Sequence, residues 1–345
     1  MMLRHNRRSV PAGFTLLELV IAAVLLSMMV IAVASLSVSG ADAQEFARRQ
    51  NRATEVNQDL MDQVRLELVS CVRLFGGDVE GDSNLALLDL AGVPQPLADV
   101  RLPKISPNEK IRQDTLMNEI TGNSLFFTRL AWSDRFRCTS GTDYLVDVYR
   151  WVYYYPTPEG AGPTAGSNIG LNFVRVASEP LVDASGVDRI TNVLDRLEVL
   201  RHLVDATPDV NGKRHSPCQV VWKRGALASV VGTLRQIDPA GALSDNPTGA
   251  RPSPWNILRS DAVVKGLLAY RHHSLATNYC RASFNVGSYS VPLNTGSGFP
   301  HGFEVQIVGP TSARQALIHM VLCSTIKRLQ PAWSDMQMIV DVREY

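Results

Sequence analysis

A large net charge is absent from this 345-residue sequence, in which 34 basic and 33 acidic residues give a formal net charge of +1 at pH 7. Nucleic-acid-binding proteins usually carry a clear excess of basic residues, and so do polybasic membrane-surface patches. The sequence has no such excess, so we expect no nucleic-acid partner. Its composition, 45% hydrophobic and 19% charged, is that of a folded protein.

Short catalytic and metal-binding motifs are absent as well. The sequence contains no H-E-x-x-H, no G-x-S-x-G and no G-x-x-x-x-G-K-[ST] pattern. His272 and His273 would point to opposite faces of a strand, which makes them a poor chelate. Gly296-Ser297-Gly298 with nearby His301 is a weak hint of a nucleophile and a base. We therefore expect no enzyme activity, no cofactor and no metal, although a triad assembled from distant residues stays open.

Cysteines are few and widely spaced. No two of them have the C-x-x-C spacing of local redox and zinc motifs. If this part of the chain is exported, disulfides can form. Two bridges with one remaining thiol are one reading, and five buried reduced thiols are the other. The candidate disulfide residues are Cys71, Cys138, Cys218, Cys280 and Cys323.

Charge is almost missing from residues 14–38, where Glu18 is the only ionisable residue. At about 1.5 Å per residue, the uncharged part, residues 19–38, is about 30 Å long, which matches the hydrocarbon core of a bilayer. A carboxylate inside a bilayer costs about 3 kcal/mol on insertion scales and is usually retained for a partner. The stretch therefore predicts a membrane-spanning helix with a functional carboxylate near its start.

The N-terminal residues resemble those of the type IV pilin superfamily. A short basic leader, residues 1–13, ends in Gly13, and Phe14 follows it; Glu18 is the fifth residue after the leader. The resemblance implies that a prepilin peptidase cleaves between Gly13 and Phe14 and N-methylates Phe14. It also implies that Glu18 neutralises the N-terminal amine of a neighbouring subunit during assembly. Such pairing removes two uncompensated buried charges at once.

Two other readings of this segment stay open. In a secretory signal peptide, Ala41-Asp42-Ala43 would have the form of a cleavage site, but the apolar run is longer than a signal core and Glu18 would be unexpected in it. A plain signal anchor has the right length, but it does not account for Gly13 and Phe14 followed by Glu18.

An amphipathic pattern continues from residue 41 without a proline. Apolar residues recur at spacings of three, four or seven, which predicts one buried stripe on a helix. We therefore predict a single helix from about Phe14 to Phe75, stopped by Gly76 and Gly77. Residues 14–40 would be its transmembrane or filament-core half and residues 41–76 its amphipathic half. The stripe comprises Phe46, Ala53, Val56, Leu60, Val64, Leu68, Val72 and Phe75.

Residues 77–345 are predicted to form a globular head with mostly antiparallel strands and long loops, so the fold class is α+β. Segments rich in β-branched and aromatic residues predict the strands. Residues 78–82 and 238–254 are predicted as exposed loops, and 226–237 and 312–328 are ambiguous between helix and strand. The predicted strands are 124–131, 144–155, 171–176, 219–222, 262–270, 282–291, 302–308 and 336–342.

The middle of the head adds a looser resemblance. A strand ending in tyrosines, a loop, a return strand, then Glu179-Pro180-Leu181-Val182-Asp183 and the stretch 193–200 are similar to large PilW-type minor pilins. These relate to the J-type pseudopilins of type II secretion. The resemblance implies a single-pass inner-membrane precursor with a periplasmic head, which later moves to the pilus and cell surface.

The function expected from this resemblance is that of a minor pilin of a type IV pilus. Its head, about 270 residues, is bulky for a subunit repeated along a filament, which favours a tip or priming complex. The expected partners are a prepilin peptidase, other pilins and minor pilins, the inner membrane and a tip adhesin. A J-type pseudopilin is the close alternative, and an adhesin or enzyme head carried on a pilin anchor is the alternative of another class.

Overall fold

The computed structural model describes residues 15–96, 100–111, 120–158, 171–205, 215–223, 234–258, 273–275, 302–324 and 332–344. The chain divides into two compact units, with the boundary between Arg49 and Gln50. A long N-terminal helix is followed by a mostly antiparallel sheet with short helices. This architecture confirms the predicted α+β class.

Helix α1 extends over Leu16–Val69 and is 54 residues long. In the unit that ends at Arg49, its apolar side chains are exposed around the helix, as Leu17 and Ile31 illustrate with 68% exposure each. Among the described residues, α1 is the helix that is long and apolar enough to cross a membrane. Its first part is therefore a candidate single-pass membrane anchor.

The later part of α1 packs on the sheet of the second unit. Its buried apolar side chains recur every three or four residues, which confirms the predicted stripe over this part of the helix. From Val56 onward, these side chains share a hydrophobic cluster with residues 125 and 127 near the start of the head and with residues 340 and 342 near its end. The buried stripe comprises Ala53, Val56, Leu60, Val64 and Leu68.

The predicted end of α1 was wrong. The helix stops at Val69, and Cys71–Phe75 forms strand β1, paired antiparallel with Leu125–Arg137, strand β3. Ser70 closes the last turn, since its N–H and hydroxyl both donate to the Glu67 carbonyl at 3.2 and 2.9 Å. Val72 and Phe75, which continue the helical spacing, belong to the strand. Pairing with distant β3 outweighs the local pattern here.

Fourteen strands of the described chain form one sheet. Besides β1 and β3, they are β2 Ile105–Ser106, β4 Asp143–Pro158, β5 Leu171–Ser178, β6 Leu181–Asp183, β7 Val220–Trp222, β8 Leu234–Ile237, β9 Leu243–Asp245, β10 Pro252–Leu258, β11 His273–Leu275, β12 Phe303–Val308, β13 Arg314–Ser324 and β14 Trp333–Val342. Its main path runs in the order β2-β12-β13-β11-β5-β4-β6-β7-β8-β9, while β1 pairs with β3, β3 with β4, β10 with β5 and β14 with β13. Among the described strand pairs, β2–β12 and β6–β7 are parallel and the others antiparallel.

All six strand predictions that fall on described residues are confirmed, and they became β3, β4, β5, β7, β12 and β14. The ambiguous stretch 312–328 contains β13, and the described end of 226–237 is β8. The predicted strands 262–270 and 282–291 lie outside the described residues. The stretch 193–200 lies in helix α4, Val193–Val204, which follows the short helix α3, Ala184–Asp188.

Two predicted loops contain regular structure. Residues 78–82 open helix α2, Val79–Ala86, because the Asp78 side chain accepts a hydrogen bond from the Gly81 N–H at 2.8 Å and caps the helix. Residues 238–254 include β9 and the start of β10. Strand β10 pairs with β5, which is distant in sequence, and β9 pairs with β8 across a short turn. The turn-rich composition of this segment reveals neither pairing.

Two hydrophobic clusters lie on opposite sides of the central strands. The first joins the α1 stripe to β3, β4, β12, β13 and β14. The second is aromatic: Phe75 and Phe126 stack at 4.7 Å, and Trp151 meets Trp222 edge-on at 5.6 Å. A third, smaller cluster lies between α4, β6 and β7. The sheet thus has apolar layers on both faces, and α1 covers one of them.

Candidate assembly site

The start of α1 is a capping box. Thr15 donates from its backbone N–H and its hydroxyl to Glu18 Oε2, both at 2.9 Å, and the Glu18 N–H donates to Thr15 Oγ1 at 3.3 Å. Glu18 is exposed. Its other carboxylate oxygen, Oε1, accepts no hydrogen bond from the part of the chain that the structure describes. The carboxylate can therefore cap its own helix and receive a cation at the same time.

The surroundings of Glu18 are apolar. Leu16, Leu17, Leu19 and Val20 are 83%, 68%, 64% and 48% exposed. Exposed apolar surface of this extent is typical of a segment that a membrane or another protein covers. Gly13 and Phe14, the predicted cleavage and N-methylation residues, lie outside the described residues.

Polar side chains of α1 fix its later part to the sheet. Gln50 uses its side-chain amide as a backbone mimic: Nε2 donates to the Trp333 carbonyl, and Oε1 accepts from the Trp333 N–H at 3.2 Å. Asn57 is completely buried, and its Nδ2 donates to the carbonyls of Met320 and Ser334, both at 3.1 Å. These bonds set the position of α1 along β13 and β14.

An ion pair near the end of α1 makes a second attachment. Glu67 meets Arg175 of β5, whose Nε lies 2.9 Å from Glu67 Oε2, while Arg129 Nη1 of β3 lies 3.4 Å from Glu67 Oε1. The Tyr154 hydroxyl also donates to Glu67. Burial, with the Glu67 charge beside the ring, holds the pKa of Tyr154 well above its usual value. One carboxylate of the helix therefore contacts three strands.

A further buried polar cluster lies beside strand β1, which follows the helix. The Glu344 side chain is fully buried, and its Oε1 accepts from the Leu74 N–H at 2.6 Å and lies 3.3 Å from Arg314 Nη1. Arg73 bridges Glu344 and Glu80, at 3.7 and 2.9 Å. Residues near both ends of the head thus meet around one buried carboxylate.

Three candidate disulfide residues are free, buried thiols: Cys71, Cys138 and Cys218. Burial raises the pKa of each thiol, to about 12 for Cys218. A raised pKa keeps the thiol protonated and unreactive near neutral pH. Cys280 lies outside the described residues, and of Cys323 only the backbone, in β13, is described.

A histidine that sequence patterns did not single out lies between two carboxylates. His319 Nδ1 is 2.9 Å from Glu304 Oε2, and His319 Nε2 is 2.7 Å from Asp335 Oδ1. Burial opposes the charge, but the two carboxylates outweigh it and raise the pKa of His319 to about 9. Both ring nitrogens therefore donate hydrogen bonds, which makes this a structural imidazolium.

The described part of the structure brings together no metal-binding or catalytic arrangement of the candidate residues. Within the described ranges, no group of three or more His, Cys, Asp or Glu side chains could hold a metal ion. His272 and residues 296–301 lie outside those ranges, and only the backbone of His273 is described. The expected absence of an enzyme activity stays a prediction.

Searches of family models, curated proteins and solved structures found no match to this chain. The fold itself, a long N-terminal apolar helix packed on a β head, is compatible with a pilin-like fold.

Proposed function

We propose that this protein is a minor pilin of the PilW type, which enters or primes a type IV pilus after leader cleavage between Gly13 and Phe14. The observation that carries the proposal is the combination at the start of α1. A single carboxylate, Glu18, lies in an exposed apolar helix and keeps one oxygen free of partners in the described chain.

Glu18 supplies the charge that assembly requires. In an apolar filament core, an isolated carboxylate would lack compensation, and so would the amine created at Phe14 by cleavage. Pairing Glu18 with the Phe14 amine of a neighbouring subunit neutralises both charges. The capping box assists, because Thr15 holds Oε2 and leaves Oε1 to the incoming ammonium.

The later part of α1 carries the head. Asn57, Glu67 and the bonds of Gln50 fix this part of the helix to five strands of the sheet. A helix attached this firmly would bring the head with it when it packs among other pilin helices. The bulk of the head supports a place at the tip or in the priming complex, with other minor pilins and a tip adhesin as neighbours.

The localisation follows from the same proposal. The precursor is held in the inner membrane by residues 19–38 with its head in the periplasm, where prepilin peptidase cleaves it; the mature protein then joins the pilus at the cell surface. A J-type pseudopilin of type II secretion would use the same anchor and the same Glu18 chemistry. Neighbouring genes distinguish the two machines: a pilus adhesin supports the pilus, and a secretin with secreted enzymes supports secretion.

The test separates the charge of Glu18 from its capping role. Glu18→Gln keeps an oxygen that can accept from Thr15 but loses the charge, whereas Thr15→Val loses the cap and keeps the charge. We expect Glu18→Gln to be cleaved normally, as mass spectrometry of the N-terminus would show, but to reduce filament number strongly by electron microscopy. Thr15→Val should assemble more nearly like the wild type. Normal filament numbers with Glu18→Gln would overturn the proposal.

A further inference from the structure

Strand β14 forms an edge of the sheet. Its ten residues pair one-to-one with β13 in unbroken antiparallel register, from Trp333 opposite Cys323 to Val342 opposite Arg314. β13 pairs on its other side with β12 and β11. No described strand pairs with the far side of β14. One complete row of backbone groups therefore points away from the sheet.

The hydrogen bonds of Gln50 show which residues of β14 direct their backbone groups outward. Both the N–H and the carbonyl of Trp333 bond to the Gln50 side chain, so Trp333 directs its backbone away from β13. In an antiparallel ladder this direction alternates, so it recurs at every second residue. The outward row continues through Asp335, Gln337, Ile339 and Asp341, all of them exposed.

These four residues make no backbone hydrogen bond on their outer side to the described chain. Natural sheets usually protect such an edge with charged side chains, lysine above all, with proline or with a bulge. β14 contains no lysine or proline, its register has no bulge, and its charged side chains are two aspartates. The aspartates disfavour an acidic strand, but the edge that follows Trp333 is otherwise a template for another strand.

We propose that the outer edge of β14 is a docking site for an extended segment of a different protein, which adds to the sheet as a further strand. Charge determines the chemistry of that segment. The two charged residues of β14, Asp335 and Asp341, are both acidic and lie on the same face as the exposed Ile339. Asp335 and Glu304 share the single imidazolium of His319, so carboxylates remain in excess on this face even when the exposed Arg343 just beyond the strand is counted.

The other face of β14 requires apolar neighbours. Met336 and Met338 are partly buried and pack at the margin of the main hydrophobic cluster. A strand laid alongside would cover them with every second residue. The fitting segment therefore alternates apolar and basic residues over about eight positions.

A second copy of this chain fits the edge poorly. A second β14 would bring two more aspartates and no base to the shared face. Like charges on neighbouring strands are destabilising. The proposal does not depend on filament assembly, because it rests on residues of the head alone.

Residue-resolved hydrogen exchange of the full chain in detergent tests the edge. In the free protein, the outward amides of Asp335, Gln337, Ile339 and Asp341 should exchange much faster than the inward amides of Met336 and Met338. The probe is a nine-residue, end-blocked peptide of alternating valine and lysine. We expect it to slow the four outward amides by about tenfold or more at saturation, less so at high salt.

Two peptides and two variants provide matched controls. A peptide of alternating valine and glutamate should not slow the exchange of the outward amides. A peptide with the composition of the probe but with its valines and lysines in separate blocks should slow it only a little. Gln337→Pro removes one outward N–H and should abolish protection, whereas Gln337→Ala keeps the backbone and should bind nearly as the wild type.

Four results would overturn the proposal. The edge is already covered if the outward amides are slow in the free chain. The basic preference fails if the glutamate peptide protects equally. A second copy is the occupant if protection rises with protein concentration alone. The edge does not accept a strand if even a valine-lysine segment joined to Tyr345 by a flexible linker, at high effective concentration, leaves the amides fast.

Discussion

Glu67 of α1 and Arg175 of β5 form a two-point ion pair inside the head, with the guanidinium Nε at 3.1 and 2.9 Å from the two carboxylate oxygens. Both side chains are 11% exposed. The pair joins residues 108 positions apart. It therefore acts as a long-range attachment of the helix to the sheet.

Removing Glu67 should destabilise the head strongly. Glu67→Ala leaves the Arg175 guanidinium buried without its carboxylate, which typically costs about 3–5 kcal/mol in the free energy of unfolding. Glu55→Ala is the matched control on the same helix, since the Arg52–Glu55 pair is exposed and worth about 1 kcal/mol or less. Denaturant unfolding followed by near-ultraviolet circular dichroism measures both. Equal losses for the two variants would contradict the role given to Glu67.

The stability of the head should depend on pH through His319. Its pKa is raised from 6.5 to about 9 by Glu304 and Asp335. A raised pKa stabilises the fold fully below pH 6.5, and this contribution is lost as the pH rises through about 9. We expect the free energy of unfolding to fall by up to about 3 kcal/mol across this window. The change should be much smaller in His319→Gln, and an unchanged slope in that variant would refute the assignment.

The Glu344 side chain should contribute as much to the stability of the fold as a buried apolar side chain does. Glu344→Ala removes the acceptor of the Leu74 N–H and leaves Arg314 without its buried carboxylate, and we expect a loss of about 3 kcal/mol. Arg343→Ala, at the exposed neighbouring position, should change stability by less than about 0.5 kcal/mol. Thermal unfolding of the two variants in parallel makes the comparison. Similar melting temperatures would show that the buried contacts of Glu344 are dispensable.

The thiols of Cys71, Cys138 and Cys218 should resist modification in the folded protein. All three are buried and have raised pKa values. We expect peptide mapping after brief maleimide treatment at pH 7 to find them unlabelled, and labelled at once after addition of denaturant. Rapid labelling of Cys218 in the native protein would contradict its burial. Disulfide-linked peptides that include any of the three would show that oxidation changes this arrangement.

The parts of the fold that depend on local periodicity could be predicted from the sequence. The apolar stripe from Ala53 to Leu68 and strands such as β4 and β12 repeat at the spacing of their element. The end of α1 could not be predicted, since β1 continues the helical spacing of apolar residues and its partner, β3, lies more than 50 residues away. The pattern around Asp78 predicts a loop, because a capping side chain and a solvated carboxylate have the same sequence signal.

The candidate site was predictable only at its N-terminal end. Glu18 stands out because a charge in an apolar run is rare. Asn57 and Glu67 were not singled out, since polar residues on an amphipathic helix are expected to face water. Their partners become neighbours only through the register of β13 with β14 and of β4 with β5. The pairing of Glu304 with His319 likewise depends on strand register.

The division between Arg49 and Gln50 has a practical consequence for biochemistry. A fragment that begins at Gln50 would keep the buried stripe, the Gln50–Trp333 bonds and the Glu67–Arg175 pair, and it would omit the exposed apolar segment of α1. Such a fragment should be expressible without detergent. Partner screens and crystallisation could then start from the head alone, with the membrane chemistry studied separately in the full chain.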